Sequence, residues 1–326
     1  EEIDKERGVI HEEWRMRTSA TSRMFERNLP TLYPGSRYGH RFPIGLMSVV
    51  DNFKPAELRA YYEKWYRPDI DVDKVEAKIK ALFSPIKMPE NAAKYEHYPV
   101  PDNNEPIYVI DKDKEQGQAI IQLMFKHQPL VPDEYKNTVA FLSVQYIKSL
   151  ASNVFNARLN EAAQKGDCPF VAAYADDDSY ILSKTMDAFN LVIIPKPGKD
   201  KEAIEAVMTE VKRVHEFGFT ATEVMRASEE ILSGLEATYN NRDKQKNAFY
   251  VPQYVRNFLE NDPIPSIEDE YNMYKMMSQQ MMQAQAAAPA ASSFFNELTA
   301  RTDTNFVCMA MYPEKEGVAV PTADQF

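Results

Sequence analysis

The proline-rich stretch from residue 85 to residue 106 most constrains how this chain can fold. Five prolines stand there among polar residues: Pro85, Pro89, Pro99, Pro101 and Pro106. Proline lacks a backbone N–H and breaks helices, so we expect an extended linker that is long enough to cross between domains. The linker divides the chain into residues 1–84 and residues 107–326, whose last part, 313–326, has the composition of the start of another linker.

Residues 107–312 have the pattern of one complete α+β domain. Apolar or alternating segments predict strands near 107–110, 119–125, 170–175, 188–194 and 305–312. Helical spacing predicts helices over 133–164, 201–217, 222–239, 247–261, 266–283 and 289–299. Gly218 suits a helix C-cap, and Thr220 or Thr222 suits the next N-cap. This order predicts an antiparallel sheet with helices packed on one face.

Residues 1–84 contain helical patterns and an aromatic loop but no convincing strand. Helices are expected over 1–28, from Pro55 to Trp65 and over 72–83, with an ordered loop at 33–45. Each helix is apolar on one side and therefore needs a sheet or a partner to cover that side. We expect these residues to be part of a domain that they do not complete.

Composition and charge exclude several classes of function. The 326 residues carry a net charge of −11, which disfavours a nucleic-acid partner and gives no reason to expect binding to anionic membranes. No apolar run is long enough for a transmembrane span. Cys168 and Cys308 form no CxxC pair, so they are either two buried thiols or one long-range disulfide.

Three groups of side chains could in principle bind a metal: three aspartates, a group of methionines and two glutamates. Asp176 to Asp178 lack EF-hand spacing and are predicted to form a hairpin turn, and the methionines between 273 and 282 are expected in a helix core or at an inter-domain face. Glu6 and Glu13 lie on one side of the first helix, about 10.5 Å apart along its axis. They are either a solvated acidic face paired with Arg7 and Arg17, which the pattern favours, or part of a site. The five histidines form no HExxH or HxxEH motif.

Four stretches in order carry a family resemblance: residues 6–13 (ERGVIHEE), 33–45 (YPGSRYGHRFPIG), 58–68 (LRAYYEKWYRP) and 155–161 (FNARLNE). Together they resemble the inverzincin metallopeptidases, the pitrilysin, insulinase and mitochondrial-processing-peptidase family, and most of all its long four-domain bacterial forms. Two departures stand out. Relatives have a buried strand at the position between Asp69 and Ile70, and this sequence has no counterpart to it. Either the protein has lost the strand or the given sequence leaves it out. Ala162 and Phe170 replace the substrate-binding Arg and Tyr of a later domain, as expected of a non-catalytic second domain.

The resemblance implies a zinc-dependent endopeptidase that hydrolyses peptides or unfolded protein segments in an enclosed chamber. The family's third zinc ligand falls on Glu13, and its supporting glutamate falls on Glu6. The two histidine ligands and the general base belong to HxxEH, which in relatives precedes the equivalent of Glu1. We therefore expect this chain by itself to be inactive and not to bind stoichiometric zinc.

The resemblance also implies partners and a compartment. The expected partners are a peptide substrate and the remaining domains of the same protein or a partner half, in the cell envelope or periplasm, with the cytoplasm as the alternative. A non-catalytic scaffold or peptide-binding subunit of the same family is the rival function. A helical interaction module unrelated to the family is a third possibility, in which Glu13 is exposed and paired with arginine.

Overall fold

A computed structural model describes residues 2–41, 43–65, 98–300 and 305–323. The predicted helix over 72–83, the break after Asp69 and most of the predicted linker lie outside these residues. The described end of the linker, 98–106, contains neither helix nor strand. None of the described helices is long and apolar enough to cross a membrane.

The described residues form ten α-helices, most of them close to their predicted positions. They are α1 Glu2–Arg17, α2 Ala20–Leu32, α3 Met47–Asn52, α4 Pro55–Trp65, α5 Val139–Ala163, α6 Asp200–Phe217, α7 Ala221–Asn240, α8 Asn247–Glu260, α9 Ile267–Gln283 and α10 Ala287–Leu298. Gly218 caps α6 with a φ of 66°, as predicted. Thr220, rather than Thr222, caps α7 through a reciprocal pair of hydrogen bonds with Glu223.

Five strands in the described residues build one sheet in the order β1-β5-β2-β4-β3. They are β1 Ile107–Asp113, β2 Ile120–His127, β3 Phe170–Ser179, β4 Asp187–Pro195 and β5 Phe306–Pro313. The α+β class is confirmed, and β2–β4, β2–β5 and β3–β4 pair antiparallel. The edge pair β1–β5 is parallel, which the prediction missed. Because β1 and β2 run in opposite directions, a strand inserted between them must be parallel to one of them.

One face of the sheet is covered by helices of residues 139–298, as predicted. Phe155, Phe189, Phe219 and Phe295 meet at the centre of this core. Four of the five methionines between 273 and 282 belong to this core or pack against it, as expected of a helix core: Met273, Met277, Met281 and Met282. The fifth, Met276, is 47% exposed. Cys168 and Cys308 are buried free thiols, so the disulfide alternative is wrong.

The opposite face of the sheet is covered by α2, so the prediction of helices on one face alone is incomplete. Met24 and Leu32 are fully buried against this face. Arg23 donates two hydrogen bonds to Asp113 of β1, the shorter of 2.7 Å. The apolar side of α2 packs against the sheet of residues 107–313. Residues 1–65 contain no strand among their described positions that could cover it.

Two local predictions are wrong. The helix expected over 1–28 is two helices, because Ser19 begins α2 by accepting a 3.1 Å hydrogen bond from the Ser22 amide. Pro30 lies inside α2, whose last turn is closed by the bond from the Tyr33 amide to the Leu29 carbonyl. Asp176 to Asp178 belong to β3 rather than to a turn. The turn lies beyond β3, where the Tyr180 amide bonds to the Met186 carbonyl.

Candidate functional site

Helix α1, which carries Glu6 and Glu13, is held against the region of α3 by two side chains. Arg7 donates a 2.6 Å hydrogen bond to the Phe53 carbonyl, and its guanidinium lies 4.2 Å from the centre of the Phe53 ring. His11 Nε2 lies 2.6 Å from Asp51 Oδ1. Arg7 and His11 are four residues apart and so share one side of α1.

Glu6 and Glu13 point away from the side of α1 that contacts α3. At 100° per residue, their direction differs from that of Arg7 and His11 by roughly a third of a turn. The side chain of Glu6 is exposed and that of Glu13 is half-buried. Arg7, expected as a partner of the acidic face, instead lies 3.4 Å from Asp4 and contacts Phe53. The structure therefore places both carboxylates on a side of α1 other than the one that contacts α3.

The described residues do not form a zinc site by themselves. A catalytic zinc ion usually takes three protein ligands and leaves one position for water. No group of three or more His, Cys, Asp or Glu side chains that could hold a metal occurs among the described positions. His11, the histidine nearest in sequence to Glu13, is bonded to Asp51.

The aromatic loop at 33–41 joins the first helices to the turn between β3 and β4. Tyr33 Oη donates a 2.5 Å hydrogen bond to the Tyr180 carbonyl, and Tyr180 Oη donates one of equal length to the Leu32 carbonyl. The Leu182 amide donates to Tyr33 Oη at 2.8 Å. Ile181 has a φ of 54°, unfavourable for a β-branched residue, and these bonds on both sides hold it there. The loop thus fixes the position of α2 relative to β3 and β4.

A second polar cluster lies on the face of the sheet that α5 covers, and the sequence interpretation missed it. His127 Nε2 lies 2.6 Å from Asp177 Oδ1, and Lys148 Nζ lies 2.6 Å from Asp177 Oδ2. The Asp177 side chain is 1% exposed. The alternating pattern of β3 places Asp177 on its buried side, and this pattern could have indicated the cluster. The prediction of a turn at 176–178 prevented that interpretation.

His127 and Asp177 shift each other's protonation equilibria. Burial opposes the charged form of His127, but the hydrogen bond and charge of Asp177 outweigh it and raise the pKa of His127. Burial likewise opposes the charged form of Asp177, but His127 and Lys148 keep its pKa below the ordinary value of 3.8. Burial raises the pKa of the neighbouring Asp187.

We expect His127 to make the stability of the domain fall as the pH rises above 6.5. Its pKa is raised above 6.5 on folding, so its contribution is complete below pH 6.5 and is lost as the pH passes the raised value. Asp177 contributes above pH 3.8 and loses its contribution in acid. Urea unfolding of His127→Gln from pH 5 to 9 should lack most of the alkaline decline, at roughly 1.4 kcal/mol per unit of pKa shift.

The exposed His40 supplies the control for this experiment. The variant His40→Gln should keep the alkaline decline of the parent chain. An equal decline in His127→Gln and the parent would show that the His127–Asp177 contact does not carry the effect.

The stretch 155–161 has a structural part in this fold. Arg158 forms two hydrogen bonds with Glu223, of 2.7 and 2.9 Å, and a third with the Gly218 carbonyl. This contact keeps the pKa of Glu223 low, at about 2. Phe170, which was expected to replace a substrate-binding tyrosine, is buried in the core. The helix α5 therefore ties its C-terminal end to the start of α7.

Comparison with known proteins places this fold. A family model described as "Peptidase M16 inactive domain" matches residues 52–231. The probable zinc protease PqqL of Escherichia coli is 29% identical over 290 residues, which make up 86% of this chain and 30% of that protein. The zinc protease PQQL-like protein of Arabidopsis thaliana is 24% identical over 326 residues, 96% of this chain and 30% of that protein. The chain thus spans about a third of the length of these relatives.

Two solved structures of PqqL also resemble this chain. The periplasmic protease PqqL from Escherichia coli superposes with a TM-score of 0.77 at 25% identity, covering 96% of this chain and 34% of that chain. A structure of the first half of the same protease gives a TM-score of 0.76 and covers 66% of that half. The family match spans more than half of the chain, from before α4 into α7. The chain belongs to the M16 peptidase family, of which it contains the inactive domain.

Proposed function

We propose that this chain is part of a zinc-dependent endopeptidase that hydrolyses peptides or unfolded protein segments in an enclosed chamber. The observation that carries the proposal is the likeness to the protease PqqL, which extends over 96% of the chain rather than over the inactive domain alone. By analogy with that periplasmic protease, the compartment is the cell envelope.

Exposed apolar side chains in the first helices support a larger catalytic-type domain. Val9 and Met16 of α1 are 56% and 79% exposed, and Val49 of α3 is 56% exposed. Leu58 of α4, expected to face inward, is 47% exposed. We propose that other parts of the protein cover these side chains. In this proposal residues 1–84 are the C-terminal part of a catalytic-type domain, and residues 107–312 form a wall of the chamber joined to it by the 85–106 linker.

Glu13 is proposed as one zinc ligand, and Glu6 as a carboxylate that supports the site from the preceding turns. Both carboxylates lie on a side of α1 other than the one that contacts α3, which supports this assignment. The two histidine ligands and the general base would come from an HxxEH segment outside these residues. This chain would contribute negative charge and a fixed ligand direction rather than the proton transfer.

The test is the substitution Glu13→Gln in a protein that also contains the segment preceding residue 1. Zinc affinity, measured by competition with a chelating dye, should fall at least about tenfold, since even residues that only support ligands affect affinity by about 10–100-fold. Peptide hydrolysis should fall with it. The matched control is Glu12→Gln, because Glu12 is exposed and pairs with Arg15 on the same helix. Unchanged zinc affinity in Glu13→Gln would refute the ligand assignment.

The alternative function is a non-catalytic scaffold or peptide-binding subunit of the same family. This alternative is supported by the description of the matching family model as an inactive domain. The sequence preceding residue 1 discriminates directly. An intact HxxEH supports the peptidase, whereas replacement of its histidines or glutamate supports the scaffold.

A further inference from the structure

Helix α8 turns its apolar side towards solvent and its polar side towards the rest of the chain. Five large apolar side chains face solvent and are exposed by 49–71%: Val251, Tyr254, Val255, Phe258 and Leu259. At 100° per residue they occupy one continuous strip about 140° wide. We call these five residues the α8 strip. A surface helix normally turns such a strip towards the core, so its outward orientation calls for a partner.

The polar side of α8 is the side that contacts the rest of the chain. Asn257 donates a 2.6 Å hydrogen bond to the Asp262 carbonyl. Glu260 pairs with Lys184 of the turn between β3 and β4, and the Glu260 carbonyl accepts a 2.9 Å bond from Lys136. The bonds from Lys184 and Lys136 join the C-terminal end of α8 to two distant segments of the chain, with its polar side turned towards them. Turning the strip inward would break them.

The composition of the α8 strip favours a permanent partner over a transient one. No charged residue lies within it; Arg256 and Glu260 both lie on the other side of the helix. Permanent interfaces are more apolar than transient ones, and their centres are depleted in charge.

The size of the strip disfavours a second copy of this chain. Two aromatic and three aliphatic side chains exposed to this degree present about 500 Å². A stable complex of separate molecules needs about 800 Å² from each partner. A segment of the same polypeptide needs less, because covalent linkage raises its effective concentration.

We propose that the α8 strip is the docking surface for an apolar, uncharged segment of the same polypeptide that lies beyond these 326 residues. The inference rests on the proposed function, in which the chain is one part of a protein as long as its relatives. Those relatives contain about two thirds of their length outside the matched part, since the chain covers 30% of PqqL. The strip would hold the domain of residues 107–312 to that remainder.

Labelling of a single introduced cysteine tests the proposal. The native Cys168 and Cys308 are buried, so Phe258→Cys should dominate reaction with a maleimide reagent. In the 326-residue chain the new thiol should react quickly. In the full-length protein its reaction should be at least about tenfold slower, because the docked segment covers it. Leu259→Cys gives a second probe, and circular dichroism confirms that each variant keeps its helical content.

Phe217→Cys is the matched control. Phe217 is 77% exposed at the end of α6 and lies outside the strip, so its cysteine should react at similar rates in both proteins. Equal rates for Phe258→Cys in both proteins would overturn the proposal. Protection of the 326-residue chain at high concentration would point instead to a second copy, and protection by an added unfolded peptide would point to a substrate surface. Either result would also overturn it.

Zinc content separates this inference from the proposed function. A full-length protein that holds zinc and cleaves peptides, but leaves position 258 reactive, would refute the docking surface alone. A protein that protects position 258 but neither holds zinc nor cleaves peptides would refute the proposed function alone.

Discussion

Replacing Asp177 with alanine is expected to lower the free energy of unfolding by about 3–5 kcal/mol. The Asp177 carboxylate is 1% exposed and lies 2.6 Å from both His127 Nε2 and Lys148 Nζ. Removing it would leave the Lys148 ammonium, itself only 23% exposed, without its counter-ion. Urea unfolding at pH 6 should show a lower midpoint with an unchanged slope, the sign of a change in stability rather than in compactness.

The neighbouring Asp178 offers a control on the same strand. Its side chain points to the opposite side of β3 and is exposed, so Asp178→Ala should change the free energy of unfolding by no more than about 0.5 kcal/mol. Comparable losses in the two variants would mean that charge on β3, rather than the buried contact, sets the effect.

Truncating Phe295 to alanine is expected to cost a similar amount, about 3–5 kcal/mol. Phe295 is 1% exposed, and its ring centre lies 4.6 Å from that of Phe155, 5.4 Å from Phe189 and 5.5 Å from Phe219. These rings come from α5, β4 and the segment before α7, so the gap cannot close by moving one element. Thermal or chemical unfolding measures the loss.

Two comparisons sharpen this experiment. Phe217→Ala removes the same group from a side chain that is 77% exposed, and we expect a change within about 0.5 kcal/mol. Phe295→Leu fills most of the space and should recover much of the loss. A full loss in Phe295→Leu would indicate that ring contacts, rather than volume, hold the core together.

Local signals allowed most of the helices to be predicted. Gly218 and Thr220 mark the junction of α6 and α7, and the structure shows the positive φ and the capping bonds that these residues favour. Such signals work because caps depend on residues a few positions apart. The same reasoning failed at Asp176 to Asp178, where three aspartates favoured a turn. His127 and Lys148, 50 and 29 residues earlier in the chain, stabilise Asp177 within a strand instead.

The sequence also predicts only part of the candidate site. The helical period alone places Glu6 and Glu13 on one side of α1. It does not reveal that Arg7 contacts Phe53, 46 residues later, and so leaves that side of the helix. The outward orientation of the α8 strip is equally invisible in the sequence, because an amphipathic pattern gives the apolar side but not the direction it faces.

The sequence by itself therefore determined the α+β class, most helix positions, the side of α1 on which its glutamates lie and a family resemblance that the M16 match confirms. Only the tertiary structure decided that α2 covers the second face of the sheet, that β5 enters between β1 and β2, and that Asp177 is buried. The physical reason is the same in each case. Helix periods and caps arise from neighbours within a few residues, whereas these features depend on contacts between residues 29 to 200 positions apart, such as the 90 that separate Arg23 from Asp113 and the 200 that separate Ile107 from Val307.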